Sequence, residues 1–82
     1  MMTAQVSDCR KYEGPMDEAP KATVKVGDWV DFKSDHEQSG RITKIESHRY
    51  GTRLHLHNPE GFGGEYLRYA KNTVVEAGDC WI

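Results

Sequence analysis

The chain has 82 residues, of which 37% are hydrophobic and 29% are charged, and its formal net charge is −2. A chain of this length forms one domain at most and buries only about 60% of its unfolded surface, so we expect a small core. No run of about 18 apolar residues occurs, and we therefore expect no membrane partner.

Residues 1–20 are predicted to be a flexible tail that precedes the domain of residues 21–82. Gly14, Pro15 and Pro20 interrupt any periodic pattern, and the apolar residues of this segment are isolated. The alternative is a segment that becomes ordered when it meets a partner.

The start of the chain lacks the apolar segment of a signal peptide. We therefore expect a cytosolic protein in which Cys9 and Cys80 are reduced, although a disulfide between them remains open.

The first predicted strand begins after Lys25. In the sequence WVDFK, Val30 and Phe32 fall on one face and Trp29 and Asp31 on the other, because successive side chains of a strand alternate. Val30 and Phe32 should therefore face the core, while Trp29 lies on the opposite face.

A polar loop and a second strand follow. The loop ends at Gly40, for which we predict a positive φ because glycine adopts it without a steric penalty. Ile42 and Ile45 are three residues apart, so both face inward only if the strand bends or bulges between them.

A hairpin is predicted next, with Tyr50 and Gly51 as its two-residue turn. This turn would place Ile45 opposite Leu56. The outer face would then carry six polar side chains: Lys44, Glu46, His48, Arg53, His55 and His57.

The last part of the chain contains weaker signals. Residues 58–64 are predicted to turn around Phe62, and residues 65–69 form either a strand or a short helix. Residues 72–76 have the composition of a last strand, and a C-terminal turn contains Trp81. Four or five short strands without a long amphipathic helix indicate an all-β barrel.

Part of this sequence resembles SH3-like barrels with a KOW-type opening, in which a VGDxV segment starts one strand and a GxVxKI segment starts the next. The matching residues are Val26, Gly27, Asp28, Val30, Gly40, Ile42, Lys44 and Ile45. The segments FKSDHEQSGRITKI, GFGGEYLRYA and DCW are similar to small proteins of tailed bacteriophages. The resemblance implies a small antiparallel SH3-like barrel of four to five strands, a viral origin and action in the host cytoplasm, but no residue-level activity.

Charge is unevenly distributed along the domain. Residues 28–37 hold four acidic residues against one lysine, whereas residues 41–57 hold four basic residues against one glutamate. The basic hairpin with an aromatic at its tip makes nucleic acid the second choice of partner. Neutrality of residues 21–82 as a whole argues against a dedicated nucleic-acid-binding protein. The candidate residues are Arg41, Lys44, Arg49, Tyr50 and Arg53.

Catalysis has little support in the sequence. The acidic residues of 28–37 and the nearby Ser34, His36 and Ser39 lie in a solvated polar stretch without a nucleophile motif. We therefore expect no enzymatic activity and no cofactor.

Three histidines are weak candidates for a metal site. His55 and His57 project from one face of a strand, and the predicted turn places His48 diagonally across from His55. No Cys-x-x-Cys motif accompanies them, so an exposed polar face is the preferred interpretation.

Protein binding is the preferred function. Edge strands of a small sheet can pair with a partner, and exposed aromatic side chains act as anchors. Glycines of the segment GFGGEYLRYA permit an unusual backbone around Phe62. The alternative is that this segment and Trp81 only close the barrel. A host or viral protein would be modulated by covering its surface, and the predicted anchors are Trp29, Phe62, Tyr66, Tyr69 and Trp81.

Overall fold

The structure is a computed structural model that describes residues 2–82. Seven strands form one sheet: β1 Thr3–Ser7, β2 Lys21–Lys25, β3 Trp29–Lys33, β4 Glu37–His48, β5 Gly51–His57, β6 Asn72–Glu76 and β7 Cys80–Trp81. Within residues 2–82, the helical segments are two short 3-10 turns, Met16–Glu18 and Ala77–Asp79.

The strands lie in the order β2-β1-β7-β3-β4-β5-β6. β1 and β7 pair in parallel, and all other neighbours are antiparallel. The prediction of an all-β fold is confirmed. The prediction of four to five antiparallel strands in an SH3-like barrel is wrong, since the structure has seven strands in one mixed sheet. Periodicity reports local strands and contains no information on the pairing of the first strand with the last.

The segment expected to be a flexible tail contributes β1 to the middle of this sheet, between β2 and β7. Ala4 and Val6 face the core and are buried, while Thr3 and Gln5 alternate with them and are exposed. Two small apolar residues give a weak sequence signal. They form a strand here because β1 pairs with β2 along its whole length and with β7 at Ser7.

One hydrophobic cluster fills the inside of the sheet. Val24 of edge strand β2 and Val75 of edge strand β6 both pack in it, so the sheet curls around a single core. Val30 and Phe32 are buried as predicted. The two longest strands contribute four further large side chains to the core: Ile42, Ile45, Leu54 and Leu56.

The VGD segment forms the turn between β2 and β3. Gly27 has a φ of +100°, and the Asp28 N–H donates to the Lys25 carbonyl at 3.0 Å. The Asp28 carboxylate accepts the Lys25 N–H at 2.9 Å, and this hydrogen bond lowers the pKa of Asp28. The motif therefore reverses the chain before β3.

The β4–β5 hairpin has the predicted bulge, located between Ile42 and Lys44. Its turn is at Arg49 and Tyr50 instead of Tyr50 and Gly51, so Ile45 lies opposite Leu54 and not Leu56. A shift of two residues keeps each side chain on its predicted face, because the pleat repeats every two residues. The shift does change which residues of β4 and β5 lie opposite each other.

Candidate protein-interaction site

Residues 58–71, which we call the tyrosine loop, leave the sheet after β5 and return to it before β6. The Asn58 N–H donates to the Lys71 carbonyl at 2.9 Å, and the Phe62 N–H donates to the Ala70 carbonyl at 2.8 Å. The Asn58 side chain also donates to the Ser39 carbonyl of β4 at 3.0 Å. These bonds close the base of the loop on the sheet. The segment 65–69 is neither a strand nor a helix.

Phe62 fixes the loop to the core. Its side chain is only 6% exposed and packs edge-to-face on Phe32, with ring centroids 5.6 Å apart. Phe62 is therefore a core residue and offers a partner almost no surface, which argues against its predicted role as a binding anchor.

Gly40 makes room for that ring. It does not have a positive φ, contrary to the prediction, but lies inside β4 opposite Val30. A Cβ at this position would lie 3.0 Å from Leu56 Cβ and 3.3 Å from the ring of Phe62. The glycine is needed for a close approach of side chains and not for a turn.

Polar side chains around the β3–β4 turn hold the outer part of the loop. The Asp35 carboxylate accepts the N–H groups of Glu65 and Tyr66, and Gln38 Oε1 accepts the Gly63 N–H at 2.8 Å. Gly64 has a φ of +89°, and a Cβ there would collide with Asp35. The sequence alone contained no signal for Asp35 and Gln38 as anchors, since both lie in a polar stretch far along the chain from their partners.

Tyr66 and Tyr69 project from this anchored backbone into solvent. Their side chains are 83% and 84% exposed. Tyr69 has a φ of +71° in a turn that the Ala70 N–H closes onto the Leu67 carbonyl at 3.0 Å. The guanidinium carbon of Arg68 lies 5.1 Å from the centre of the Tyr69 ring.

The two predicted tryptophan anchors lie elsewhere. Trp29 is half-exposed at the end of β3 that is distant from the Asp35 turn, where it pairs with Arg41 of β4. Trp81 is partly buried on the outer face of β7, next to Ser7 of β1. The structure therefore supports Trp29, Tyr66 and Tyr69 as exposed aromatics, but it does not combine all five predicted anchors in one surface.

The predicted basic hairpin is partly neutralised. Arg53 pairs with Glu76 at 3.1 Å, and Glu46 lies opposite Arg53 on the same face. A hydrogen bond from His55 and the nearby Lys44 lower the pKa of Glu46. Within residues 2–82, the cations of this hairpin that lack an ion pair are Arg41, Lys44 and Arg49.

The three candidate histidines have separate partners. His48 is 3.7 Å from Glu76, His55 bonds to Glu46 at 2.9 Å, and His57 bonds to Asn72 at 2.9 Å. The shifted hairpin register places His48 opposite Gly51, away from His55. No group of three metal-ligating side chains occurs in residues 2–82.

The two cysteines are free thiols in different environments. Cys80 faces the core, where burial raises the pKa of its thiol to about 12, and Cys9 is partly exposed. A thiol with so high a pKa stays protonated at neutral pH and is a poor nucleophile.

Comparisons with protein-family models, curated proteins and solved structures gave no match. The helical segments of residues 2–82 are all too short to cross a membrane.

Proposed function

We propose that this protein is a non-enzymatic binding module that contacts another protein through the tyrosine loop and modulates it by covering its surface. The observation that carries the proposal is the exposure of Tyr66 and Tyr69, both above 80%, on a backbone that Asp35 holds in place. Exposed tyrosines on an ordered backbone offer large contact areas at a small entropy cost, and they are frequent hot spots of interfaces.

The backbone of Tyr69 supports the proposal independently. A residue with a Cβ in the left-handed region is less stable there than glycine by roughly 1–2 kcal/mol. The ring of Tyr69 is in solvent, and its contact with the Arg68 guanidinium group recovers only part of this energy. A strained and exposed aromatic residue is expected where the side chain serves contact with another molecule.

The resemblance to small phage proteins supports a partner in the infected cell, either a host or a viral protein, and a location in the host cytoplasm. The match rests on the segments FKSDHEQSGRITKI, GFGGEYLRYA and DCW. The middle segment includes both exposed tyrosines.

Nucleic acid is the second candidate partner, supported by the tip of the β4–β5 hairpin. Tyr50 is 85% exposed there, and the guanidinium carbon of Arg49 lies 5.9 Å from its ring centre. This tip would stack on a base and contact a phosphate through Arg49, while Lys44 and Arg41 lie further down β4, away from the tip, and would contact phosphates along the strand.

The experiment is a pull-down from host lysate with the tagged full chain, with and without nuclease. The test variant is Tyr66→Ser combined with Tyr69→Gly, and the matched control is Tyr50→Ser, which removes an equally exposed tyrosine. We expect the tagged natural chain to capture its partner protein even after nuclease treatment and in 0.5 M salt. The double variant should no longer capture this protein, whereas the Tyr50→Ser control should still capture it.

Loss of the captured partner after nuclease, together with loss in Arg49→Glu, would instead establish the nucleic-acid alternative. Circular dichroism of each variant checks that the fold is retained. The choice of Tyr66 and Tyr69 avoids Phe62, whose replacement would damage the core.

A further inference from the structure

A groove of about 830 Å³ lies on the outer face of the sheet, and none of its lining residues belongs to the tyrosine loop. Its floor is formed where Ser7 of β1 lies beside Trp81 of β7. Asp31 of β3 is opposite Trp81 in the register, so its side chain is on the same face. This volume is in the range of sites that hold small molecules or peptide side chains.

Three separate segments build the walls of this groove. Residues 9–17 provide Cys9 and Met16, the 3-10 turn before β7 provides Asp79, and the β3–β4 hairpin provides Glu37. Met16 and Trp81 give the groove an apolar part, and half of its ten lining residues are charged.

Carboxylates outnumber cations in the groove. Asp17, Glu37 and Asp79 line it and Asp31 borders it, against Lys21 and Lys33. None of these four carboxylates has an ion-pair partner within residues 2–82, although Lys33 lies directly opposite Glu37 in the strand register. Partial burial and the nearby charge of Glu37 raise the pKa of Asp31.

Ser7 gives a second, independent indication of a ligand. It is only 3% exposed and lines the groove, and none of the side-chain hydrogen bonds among the described residues involves its hydroxyl. The hydroxyl is not one of the fully enclosed side-chain atoms without a partner, so it reaches the groove, where a polar group of a bound molecule can bond to it.

We propose that the groove binds an arginine side chain of a partner polypeptide, with the guanidinium group against Trp81 and its N–H groups donating to Glu37 and Asp79. A guanidinium group is planar, stacks on indole and donates several hydrogen bonds to carboxylates at once. Its charge matches the excess of carboxylates around the groove. This inference does not depend on the tyrosine loop.

The probe is the blocked peptide acetyl-Gly-Arg-Gly-amide, compared with the same peptide containing citrulline, which has nearly the same shape without the charge. Binding is followed by the fluorescence of Trp81 in a Trp29→Phe background, where Trp81 is the remaining tryptophan. Amide NMR shifts of the natural chain provide a second readout that needs no variant. We expect saturable binding of the arginine peptide, with shifts at Ser7 and Trp81, and little response to citrulline.

Replacing Glu37→Gln and Asp79→Asn together should weaken binding of the peptide about tenfold, because two charge-assisted hydrogen bonds are lost at exposed positions. The matched control is Glu60→Gln, an exposed acidic residue of the tyrosine loop. This control and Tyr66→Ser should leave binding of the peptide unchanged.

Equal binding of the citrulline and arginine peptides would overturn the proposal. Unchanged binding of the arginine peptide by the Glu37→Gln, Asp79→Asn double variant would also overturn the proposal. Tighter binding of acetyl-Gly-Glu-Gly-amide would show that Lys21 and Lys33 define the site, and this too would contradict the proposal. None of these results affects the proposed role of the tyrosine loop.

Discussion

Gly40 and Phe62 show how one missing side chain determines the position of another. Gly40 is buried in β4, and the space that its side chain would take is occupied by Leu56 and the ring of Phe62. Since Phe62 connects the tyrosine loop to the core, a substitution at Gly40 that displaces Phe62 should also change the position of the tyrosine loop.

We expect Gly40→Ala to lower the free energy of unfolding by about 1–3 kcal/mol, because the added methyl group overpacks the core. Urea unfolding followed by circular dichroism measures this change. The matched control is Gly78→Ala, where a Cβ meets no atom within 4 Å in the described chain and φ is not positive. Gly78→Ala should be neutral or stabilise by up to about 1 kcal/mol, since it restricts the unfolded chain. Equal destabilisation by both substitutions would contradict this account.

The tyrosine loop is the element on which the proposed function depends. It has no regular secondary structure, so its order comes from Phe62 on one side and from Asp35 and Gln38 on the other. Its glycines could be recognised in the sequence as sites of unusual backbone, and Gly61 and Gly64 indeed have positive φ values. The residues that anchor the loop could not be recognised, because their partners lie about 25 to 31 positions away along the chain.

We expect Asp35→Ala to release the outer part of the loop, with a loss of about 1–2 kcal/mol in the free energy of unfolding from the lost hydrogen bonds to a charged group. Hydrogen exchange of the Glu65 and Tyr66 amides should become faster, while the amides of β4 and β5 stay protected. Ser34→Ala, at the neighbouring exposed position, is the control and should leave these exchange rates unchanged. Unaltered exchange at Glu65 and Tyr66 in Asp35→Ala would mean that other contacts hold the loop.

At the scale of the whole molecule, the sheet depends on contacts between the two ends of the chain. β7 pairs with β1 on one side and with β3 on the other, so it joins the N-terminal pair of strands to the rest of the sheet. Val6 is fully buried next to this junction. Residues 3–7 are therefore part of the domain, and they also support the groove at Trp81.

We expect Val6→Lys to remove most of the stability of the domain, because an unpaired charge in the core costs several kcal/mol and small domains have only about 5–15 kcal/mol in total. Gln5→Lys makes the same charge change at the adjacent exposed position and should alter stability by no more than about 0.5 kcal/mol. Thermal unfolding by circular dichroism compares the two. A cooperative transition at an unchanged temperature in Val6→Lys would indicate that β1 is dispensable.

The pattern of residues was enough to predict the all-β class, the inward direction of Val30 and Phe32 and a bend or bulge between Ile42 and Ile45. These features follow from alternation along a single strand, which is a local property of the backbone. Three other features became visible only in the folded protein: β1 joins the sheet, Phe62 is buried while Tyr66 and Tyr69 are exposed, and Trp81 borders a groove. Each of these depends on pairing or packing between distant parts of the chain, and the pattern of residues along one segment does not contain that information.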